Sequence, residues 1–473
     1  SKLRFRPNEQ VDIILSGHHS HTSDLPRYDR LIAYRDNQLR YGQWYYGPQR
    51  WTLFSGRFKY HNNLILFDKL NLLAGFQLFN ESRHDRKLNS ASLRHRNEKL
   101  NVLSFNLDLG KSFNERNELF YGAEVFLNDV SSIANSEDLL NQETDEIAPR
   151  YPDESEYNSW AAYLSYKLNL NDKLIFQAGG RYTKTMLNGR FDSSFYNFPF
   201  DGFDMKNSAL NGNFGMVWHP TKDWQINLNA STGFRSPNID DVAKVFDSEP
   251  GNVVVPNPGL KPEYARNAEL GLIRSYAGKA RIEITGFFTR LKNAMVRRDF
   301  SLNGRDSIMY DGMLSEVEAL VNAESADIYG ASFAFEYLFT SYLRTKNNLT
   351  IITGEDADGY PIRHVPPTYG SSHLMLESQN WFLDLFVKYS GSFDYEELAP
   401  SERDKPHLYA INENGKPWSP SWWTLNLKSN VRLNKTFSLG GGIENILDKR
   451  YRTYSSGIVA PGINFILSLK LQL

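Results

Sequence analysis

Alternation of apolar and polar side chains with a period of two constrains this chain more than any other feature of its sequence. Along residues 223–235 every second side chain is apolar. The apolar row is Trp224, Ile226, Leu228, Ala230, Thr232 and Phe234, and the polar row is Gln225, Asn227, Asn229, Ser231, Gly233 and Arg235. Successive side chains of a β-strand point to opposite faces, so the pattern predicts a strand with one apolar and one polar face. Such a strand of about ten residues suits a wall between lipid and a water-filled lumen.

The same alternation recurs along the chain and divides it into segments of strand length. Clear examples are the stretches 102–109, 160–169, 423–432 and 463–473. Counting such segments predicts about 19 strands, including a short one at residues 2–6. We expect the Lys and Arg residues of these strands on the polar face, because a charge facing lipid at mid-bilayer costs ~2–4 kcal/mol.

Short turns and long loops alternate between the predicted strands. The short turns are rich in Asn, Asp, Gly or Pro, as tight turns require. They cover residues 7–10, 114–117, 171–173, 220–223, 277–279, 340–342, 379–380 and 434–436. The long loops lie around residues 24–38, 84–95, 130–157, 188–206, 236–262, 299–316, 354–366, 396–418 and 448–460. Short turns on one side and long loops on the other are typical of outer-membrane barrels, in which the short turns are periplasmic.

Composition excludes several other classes of protein. No run approaches the ~18 apolar residues that a transmembrane helix needs, and the mean hydropathy is -0.51. The net charge of -2 gives no reason to expect nucleic-acid binding, and a chain without cysteine has neither disulfides nor cysteine-ligated metals. Aromatic residues make up 14% of the chain, which fits strands with two interfacial girdles. A soluble all-β sandwich or propeller is the alternative that the patterning leaves open.

Four sequence boxes resemble those of TonB-dependent outer-membrane receptors. Gly-Phe-Arg-Ser-Pro-Asn at 233–238 resembles the family's GFR-A/S-P box, and Asn-Pro-Gly-Leu-Lys-Pro-Glu at 257–263 resembles its NP-x-L-K-P-E box. Residues 442–451 resemble the penultimate hairpin of the family, and residues 460–465 resemble the opening of its last strand. Their order and spacing make the resemblance stronger than any one box.

The resemblance implies an architecture for the whole chain. Residues 1–473 are then an all-β, transmembrane antiparallel β-barrel in the outer membrane of a Gram-negative bacterium. About 19 strands are visible of an expected 22, so about three strands are expected to precede Ser1. The family's plug of roughly 130–150 residues carries the TonB-binding segment. Nothing in this sequence matches the plug, which is expected to be absent or on another chain.

The resemblance also implies a function and partners. Residues 24–31 with 44–49 look like the branch that contains haem, haemoglobin and cobalamin receptors. The expected activity is TonB-dependent, energy-coupled uptake of a scarce nutrient such as an iron-siderophore, haem or cobalamin. Expected partners are outer-membrane lipid, the TonB complex acting through a plug, and a surface lipoprotein or other envelope component. A passive channel and a structural barrel subunit of an envelope complex are the alternatives. No nucleophile elbow, P-loop or HExxH motif occurs, so an enzyme is not predicted.

The two boxes around the loop 236–262 supply three candidate ligand contacts, Arg235, Asn238 and Asn257. Arg235 is the strongest of them, because a guanidinium binds the carboxylates that such cargo carries. The alternative is that the boxes only shape the loop through Pro and Asn turns. In haem receptors the boxes flank an axial His, but no His lies between Arg235 and Asn257, which counts against His-ligated haem.

Aromatic residues near the bases of the long loops are candidates for stacking on a planar cargo. They are Tyr45, Tyr46, Tyr310, Tyr360, Tyr395 and Trp418. For Trp51 and Trp422 an outer aromatic girdle is the favoured interpretation.

The candidate metal-binding residues are less clearly indicated by the sequence than the candidate ligand contacts. His18, His19 and His21 form a cluster, and the strand alternation places His18 on the lumenal face. An interfacial role is the favoured alternative for this cluster. The acidic loop 137–156 and the stretch 356–359 carry oxygen ligands that suit Ca²⁺, but neither has a complete ligand spacing.

Overall fold

The computed structural model describes residues 1–473 except 33, 36, 196, 197, 250, 404, 406, 407 and 473. Its helices are short: α1 is Tyr28–Leu31, α2 is Ile239–Val242, α3 is Pro400–Arg403, and a 3₁₀ helix covers Tyr395–Glu397. Among the described residues, no helix has the length and apolar character needed to cross a membrane.

The remaining elements are β-strands. In chain order they are β1 (Lys2–Phe5), β2 (Val11–His21), β3 (Leu25–Pro26), β4 (Tyr34–Arg35), β5 (Gln38–Leu39), β6 (Tyr41–Tyr46), β7 (Arg50–His61), β8 (Lys69–Lys87), β9 (Ser92–Asn114), β10 (Asn117–Asp138), β11 (Thr144–Glu146), β12 (Ser155–Asn171), β13 (Leu174–Arg190), β14 (Gly202–Trp218), β15 (Trp224–Arg235), β16 (Phe246–Glu249), β17 (Asn252–Val254), β18 (Glu263–Tyr276), β19 (Ala280–Lys292), β20 (Met295–Asp299), β21 (Ser307–Tyr310), β22 (Met313–Asn322), β23 (Ser325–Leu338), β24 (Leu343–Asp356), β25 (Tyr369–Glu377), β26 (Trp381–Ser390), β27 (Ala410–Ile411), β28 (Pro417–Trp418), β29 (Trp422–Arg432), β30 (Phe437–Glu444) and β31 (Asn464–Leu471).

One large antiparallel sheet of 22 strands dominates the fold. Nineteen of them form a continuous ladder, here called the wall, in which each strand pairs with the next wall strand along the chain. The wall is β1, β2, β7–β10, β12–β15, β18, β19, β23–β26 and β29–β31. The other three are short loop strands: β6 pairs with β8, β3 pairs with β6, and β11 pairs with β10. The predicted all-β antiparallel sheet is therefore confirmed, and the predicted count of about 19 strands corresponds to the wall.

The register of the wall aligns apolar side chains from strand to strand on one face, the outer face. Ile13 lies opposite Phe58, Phe58 opposite Leu72, and Leu72 opposite Leu107. Leu72 is 43% exposed in the isolated chain, although it lies within β8 and is paired on both sides. A continuous exposed apolar surface of this kind is unfavourable in water and suits contact with lipid.

The opposite face of the wall, the inner face, carries polar side chains that bond to one another. The Asp108 carboxylate of β9 accepts hydrogen bonds from Asn71 Nδ2 of the adjacent β8 at 2.8 Å and from the Tyr163 hydroxyl of β12, two strands away, at 2.7 Å. Arg181 pairs with Glu124, which also accepts a bond from Asn106. The inner face is therefore suited to a water-filled or protein-filled lumen.

The long loops all lie at one edge of the wall and are more ordered than the sequence predicts. The loop predicted at 84–95 is wrong, because β8 and β9 continue through it as a regular hairpin that leaves only residues 88–91 between them. The loops predicted at 236–262 and 299–316, together with the flanking residues 295–298 and 317–322, form a second sheet of five strands, β16, β17, β20, β21 and β22. Its core is Val253, Val255, Leu302, Val317 and Ala319.

A charge introduced on the outer face should reduce the stability of the protein far more than the same charge at the next residue, which points to the inner face. Leu228 points outward from the middle of β15 and is 38% exposed, whereas Asn229 points inward opposite Glu269. We expect Leu228→Arg to destabilise the protein by about 2–4 kcal/mol, because the guanidinium enters the bilayer core. The matched control, Asn229→Arg, should be near neutral. Urea unfolding of the full-length protein in lipid vesicles checks this, and equal stabilities for the two variants would contradict the assignment of faces.

Candidate ligand-binding site

Arg235 joins the two sequence boxes that flank the loop 236–262. It ends β15, directly opposite Glu263 at the start of β18. Its guanidinium donates to both oxygens of Asp241, at 2.8 and 2.7 Å, and to Glu263 at 2.8 Å. Glu263 in turn accepts a bond of 2.6 Å from the backbone N–H of Met295. The geometry gives Arg235 a loop-anchoring role, and contact between Arg235 and a ligand stays a prediction.

The two asparagine candidates also bond within the loop. Asn238 caps α2: its side-chain oxygen accepts from the N–H of Asp241 at 3.0 Å, and its own N–H donates to the Asp241 carboxylate at 3.0 Å. Asn257 donates to the backbone oxygen of Leu320 at 2.7 Å and accepts from the N–H of Gly259 at 3.0 Å. These contacts favour the interpretation that the boxes shape the loop.

His18 lies on the inner face, as the alternation predicts. Its ring centroid is 4.9 Å from that of Trp51, whose indole N–H donates to Gln77 at 3.1 Å. Trp51 is thus on the inner face, and so is Trp422, because Trp423 beside it occupies the outward position. The outer-girdle interpretation of Trp51 and Trp422 was therefore wrong. No cluster of three or more potential metal-ligating side chains occurs in the part of the chain that the structure describes.

Tyr360 and Tyr395 lie in separate loops and contact cations of their own surroundings. The Arg298 guanidinium carbon lies 5.7 Å from the centroid of the Tyr360 ring. Arg403 and Lys416 lie 4.9 and 4.6 Å from that of Tyr395. The structure does not bring these two rings together with the other candidates.

Tyr310 lines a cavity of about 320 Å³ at the loop edge of the inner face, here called the mouth cavity. Its described lining combines basic side chains with aromatic rings from several loops and from the β8–β9 hairpin. The lining residues are Arg27, Arg30, Tyr41, Trp44, Tyr46, Arg83, Asp85, Arg94, Arg96, Arg150, Lys244, Val245, Tyr310 and Asp311. Of the candidates named from sequence, Tyr310 and Tyr46 meet here.

Ion pairs hold the basic side chains of the mouth cavity in place. Asp85 accepts bonds of 2.8 Å from both Arg94 and Arg96. Asp311, at the tip of the β21–β22 hairpin, pairs with Arg94 at 3.0 Å and Lys87 at 2.9 Å, although it is more than 200 residues away along the chain. Burial would raise the pKa of Asp311, but the two cations outweigh it and hold the pKa below its ordinary value. Asp311 therefore remains ionised and ties the loop sheet to the hairpin.

Positive charge exceeds negative charge around the mouth cavity. The described lining and its direct ion-pair partners include eight basic and five acidic side chains. Trp44 and Tyr46 pack edge to face at 5.2 Å, and the Arg27 guanidinium lies over both rings at 5.3 and 5.2 Å. An anionic ligand with an apolar or aromatic body fits such a lining by charge and by stacking.

The sequence analysis did not identify the arginines of this cavity. Arg94 lies within the stretch predicted as a loop, residues 84–95, and Arg83 and Arg96 flank that stretch directly. The signal was present in the spacing, because Arg83 and Asp85, and likewise Arg94 and Arg96, are two residues apart and so share one face of a strand.

Removing the Arg235 side chain should loosen the loop that it anchors. Arg235→Leu leaves Asp241 and Glu263, which are largely buried, without their shared cation, so we expect a loss of about 1–3 kcal/mol and faster proteolysis within residues 236–262. Arg290→Leu is the control, since Arg290 pairs with one carboxylate, Asp327, and is more exposed. Proteolysis followed by mass spectrometry measures the effect. Unchanged proteolysis together with lost ligand binding would show that Arg235 acts on the ligand instead.

Comparison with known proteins gives the family. The family model "TonB dependent receptor-like, beta-barrel" matches residues 4–446. The Hemoglobin-haptoglobin utilization protein B of Neisseria meningitidis is 24% identical over 323 residues, which are 62% of this chain and 38% of that relative. The chain thus spans well under half the length of this relative.

Solved structures share the fold at low sequence identity. The Copper transporter OprC superposes with a TM-score of 0.80 at 12% identity, covering 99% of this chain and 70% of that one. The FrpB iron transporter from Neisseria meningitidis (F3-3 variant) gives a TM-score of 0.70 at 14% identity, covering 99% and 70%. With a family model that matches nearly its whole length, this chain belongs to the TonB-dependent receptor β-barrels, a family of the Gram-negative outer membrane.

Proposed function

We propose that this chain is the barrel wall of a receptor that takes up an iron chelate or haem across the outer membrane with energy delivered through TonB. The observation that carries the proposal is the mouth cavity, where an excess of basic side chains meets the Trp44–Tyr46 ring pair. Haem and many ferric chelates are anionic and have apolar or aromatic bodies, so they suit this lining. The name of the sequence relative, a hemoglobin-haptoglobin utilization protein, and that of the structural neighbour, an iron transporter, agree with this class of cargo. Cobalamin fits less well, because its periphery is mainly amides.

The proposal includes a closed cylinder around a plug. Among the described residues no backbone pairing joins β1 to β31, so each of these strands keeps one free edge. Exposed strand edges are not stable in lipid, since their N–H and C=O groups lack partners. We infer that further strands pair with both edges and complete a barrel of about 22 strands. A plug in the polar lumen would receive the force that TonB transmits. A surface lipoprotein or another envelope component is a further proposed partner.

Neutralising the mouth cavity should weaken ligand binding. We expect the double variant Arg83→Gln/Arg96→Gln to bind haem or a ferric carboxylate chelate roughly tenfold more weakly, which is about 1.4 kcal/mol, and with a smaller dependence on salt. Equilibrium titration of the full-length receptor at two ionic strengths measures both effects.

The control for this experiment is Arg305→Gln, which removes an exposed positive charge in a loop outside the cavity. It should leave the affinity unchanged. If the double variant binds every anionic chelate with the same affinity as the wild type, the mouth cavity is not the ligand-binding site.

The passive-channel alternative predicts a different electrical behaviour. An unplugged barrel of this width leaves an aqueous pore. We expect the full-length receptor in planar bilayers to show no large steady current, because a plug occupies the lumen. A large, steady conductance without any energy source would favour the channel and contradict energy-coupled uptake.

A further inference from the structure

Two histidines face each other on the outer side of the hairpin whose inner side lines the mouth cavity. His84 of β8 lies directly opposite His95 of β9. Their neighbours Arg83, Asp85 and Arg94 point to the inner face, so the histidine pair is separated from the mouth cavity by the sheet. β8 has 19 residues and β9 has 23, whereas about ten residues span a bilayer. Because the pair lies near the loop end of both strands, it stands above the lipid.

The two rings meet through their Nδ1 atoms, which are 2.6 Å apart. The Nε2 atom of His95 lies 3.4 Å from the carboxylate of Glu137, which favours a proton on that nitrogen and leaves a lone pair on His95 Nδ1. The Nε2 atom of His84 contacts the Ser82 hydroxyl at 2.8 Å. This hydroxyl can donate or accept, so His84 Nδ1 can carry either a proton or a lone pair. With a lone pair there, two nitrogen donors converge on one point.

The surroundings fix the orientation of both rings. Tyr45 stacks on His84 with centroids 4.7 Å apart and an interplanar angle of 19°. Gly47 packs so closely that a Cβ at this position would lie 2.1 Å from Ser82 Oγ and 2.6 Å from His84 Nε2. The backbone at Gly47 thus packs directly against His84, which a residue with a side chain could not do. Rings held in this way lose little freedom when they bind a common ion.

We propose that His84 and His95 bind one divalent transition-metal ion of the zinc type through their Nδ1 atoms. Neutral imidazole is the ligand that such ions prefer after thiolate. In a tetrahedral zinc site two nitrogen ligands lie about 3.3 Å apart, so the rings need to separate by only about 0.7 Å. Water completes the coordination, since no third side-chain ligand converges with them among the described residues. Glu137 acts as a positioning residue that holds the His95 ring by its Nε2–H.

The bound ion would clamp β8 to β9 above the membrane. The same hairpin presents Asp85, Arg94 and Arg96 to the mouth cavity from its other face. The ion therefore stabilises the extended hairpin without contacting the cargo. The site does not depend on the proposed uptake function, because it uses other residues on the opposite face of the sheet.

The charge environment allows metal binding at neutral pH. Burial and the neighbouring His95 lower the pKa of His84, although Asp24 and Asp85 act in the opposite direction. Protons compete with a metal ion for imidazole nitrogens, so zinc binding weakens as the pH falls.

Zinc titration of the metal-stripped, full-length receptor in detergent tests the proposal. We expect one saturable Zn²⁺ per chain, an affinity that falls as the pH is lowered, and a higher unfolding temperature in zinc. His84→Gln and His95→Gln should each abolish this binding, while Glu137→Gln should weaken it by roughly 10-fold. His19→Ala is the control, because His19 lies on the same outer face and bonds to Thr52 instead.

Zinc binding by the wild type and by the two histidine variants decides whether the proposal holds. Their unfolding temperatures without zinc report whether His84→Gln and His95→Gln remain folded. Absence of saturable zinc binding in the wild type would overturn the proposal, and so would equal binding in wild type and His95→Gln. Cargo binding by the wild type with and without zinc separates this site from the mouth cavity, since failure of one leaves the other intact.

Discussion

Backbone hydrogen bonding between neighbouring strands is the constraint on which this structure depends. In lipid an unpaired N–H or C=O has no water to bond to, so each wall strand needs a partner on both sides. A register slip of one residue would move the apolar row to the lumen and the polar row to the lipid. The observed pairing of Leu228 with Leu270, and of Asn229 with Glu269, keeps both rows aligned across strands that are joined by a long loop.

Above the membrane, ion pairs stabilise the strands and loops, whereas within the membrane the apolar outer face is stabilised by contact with lipid. The β8–β9 hairpin has few apolar side chains at its loop end, and its inner face is held by Asp85 with Arg94 and Arg96. The loop sheet reaches the same hairpin through Asp311. These carboxylates orient the cations without neutralising all of them, so the fold of the loops produces a cavity with residual positive charge. The proposed receptor function depends on this excess of positive charge in the mouth cavity.

The sequence predicted the wall well and the loops poorly, for a physical reason. Strands in lipid must alternate, so β15 was predicted as 223–235 and is Trp224–Arg235. At 84–95 both faces of the hairpin meet water and carry charges, so the apolar period that reveals a strand is missing. Cavity residues such as Arg94 and Asp311 are distant in sequence, and their contact follows from folding rather than from local pattern. Arg235 was correctly placed on the inner face, but its partner carboxylates six and 28 residues away could not be identified from spacing.

The most direct test of the account measures which side chains of the wall face lipid. The chain has no cysteine, so single cysteines can be introduced along β15 and spin-labelled in the full-length receptor in lipid vesicles. Accessibility to oxygen, which concentrates in lipid, is compared with accessibility to a water-soluble nickel chelate. The account predicts that oxygen accessibility peaks at positions 226, 228 and 230 and falls at 227 and 229. A profile without this period of two, or with high nickel accessibility at position 228, would contradict it.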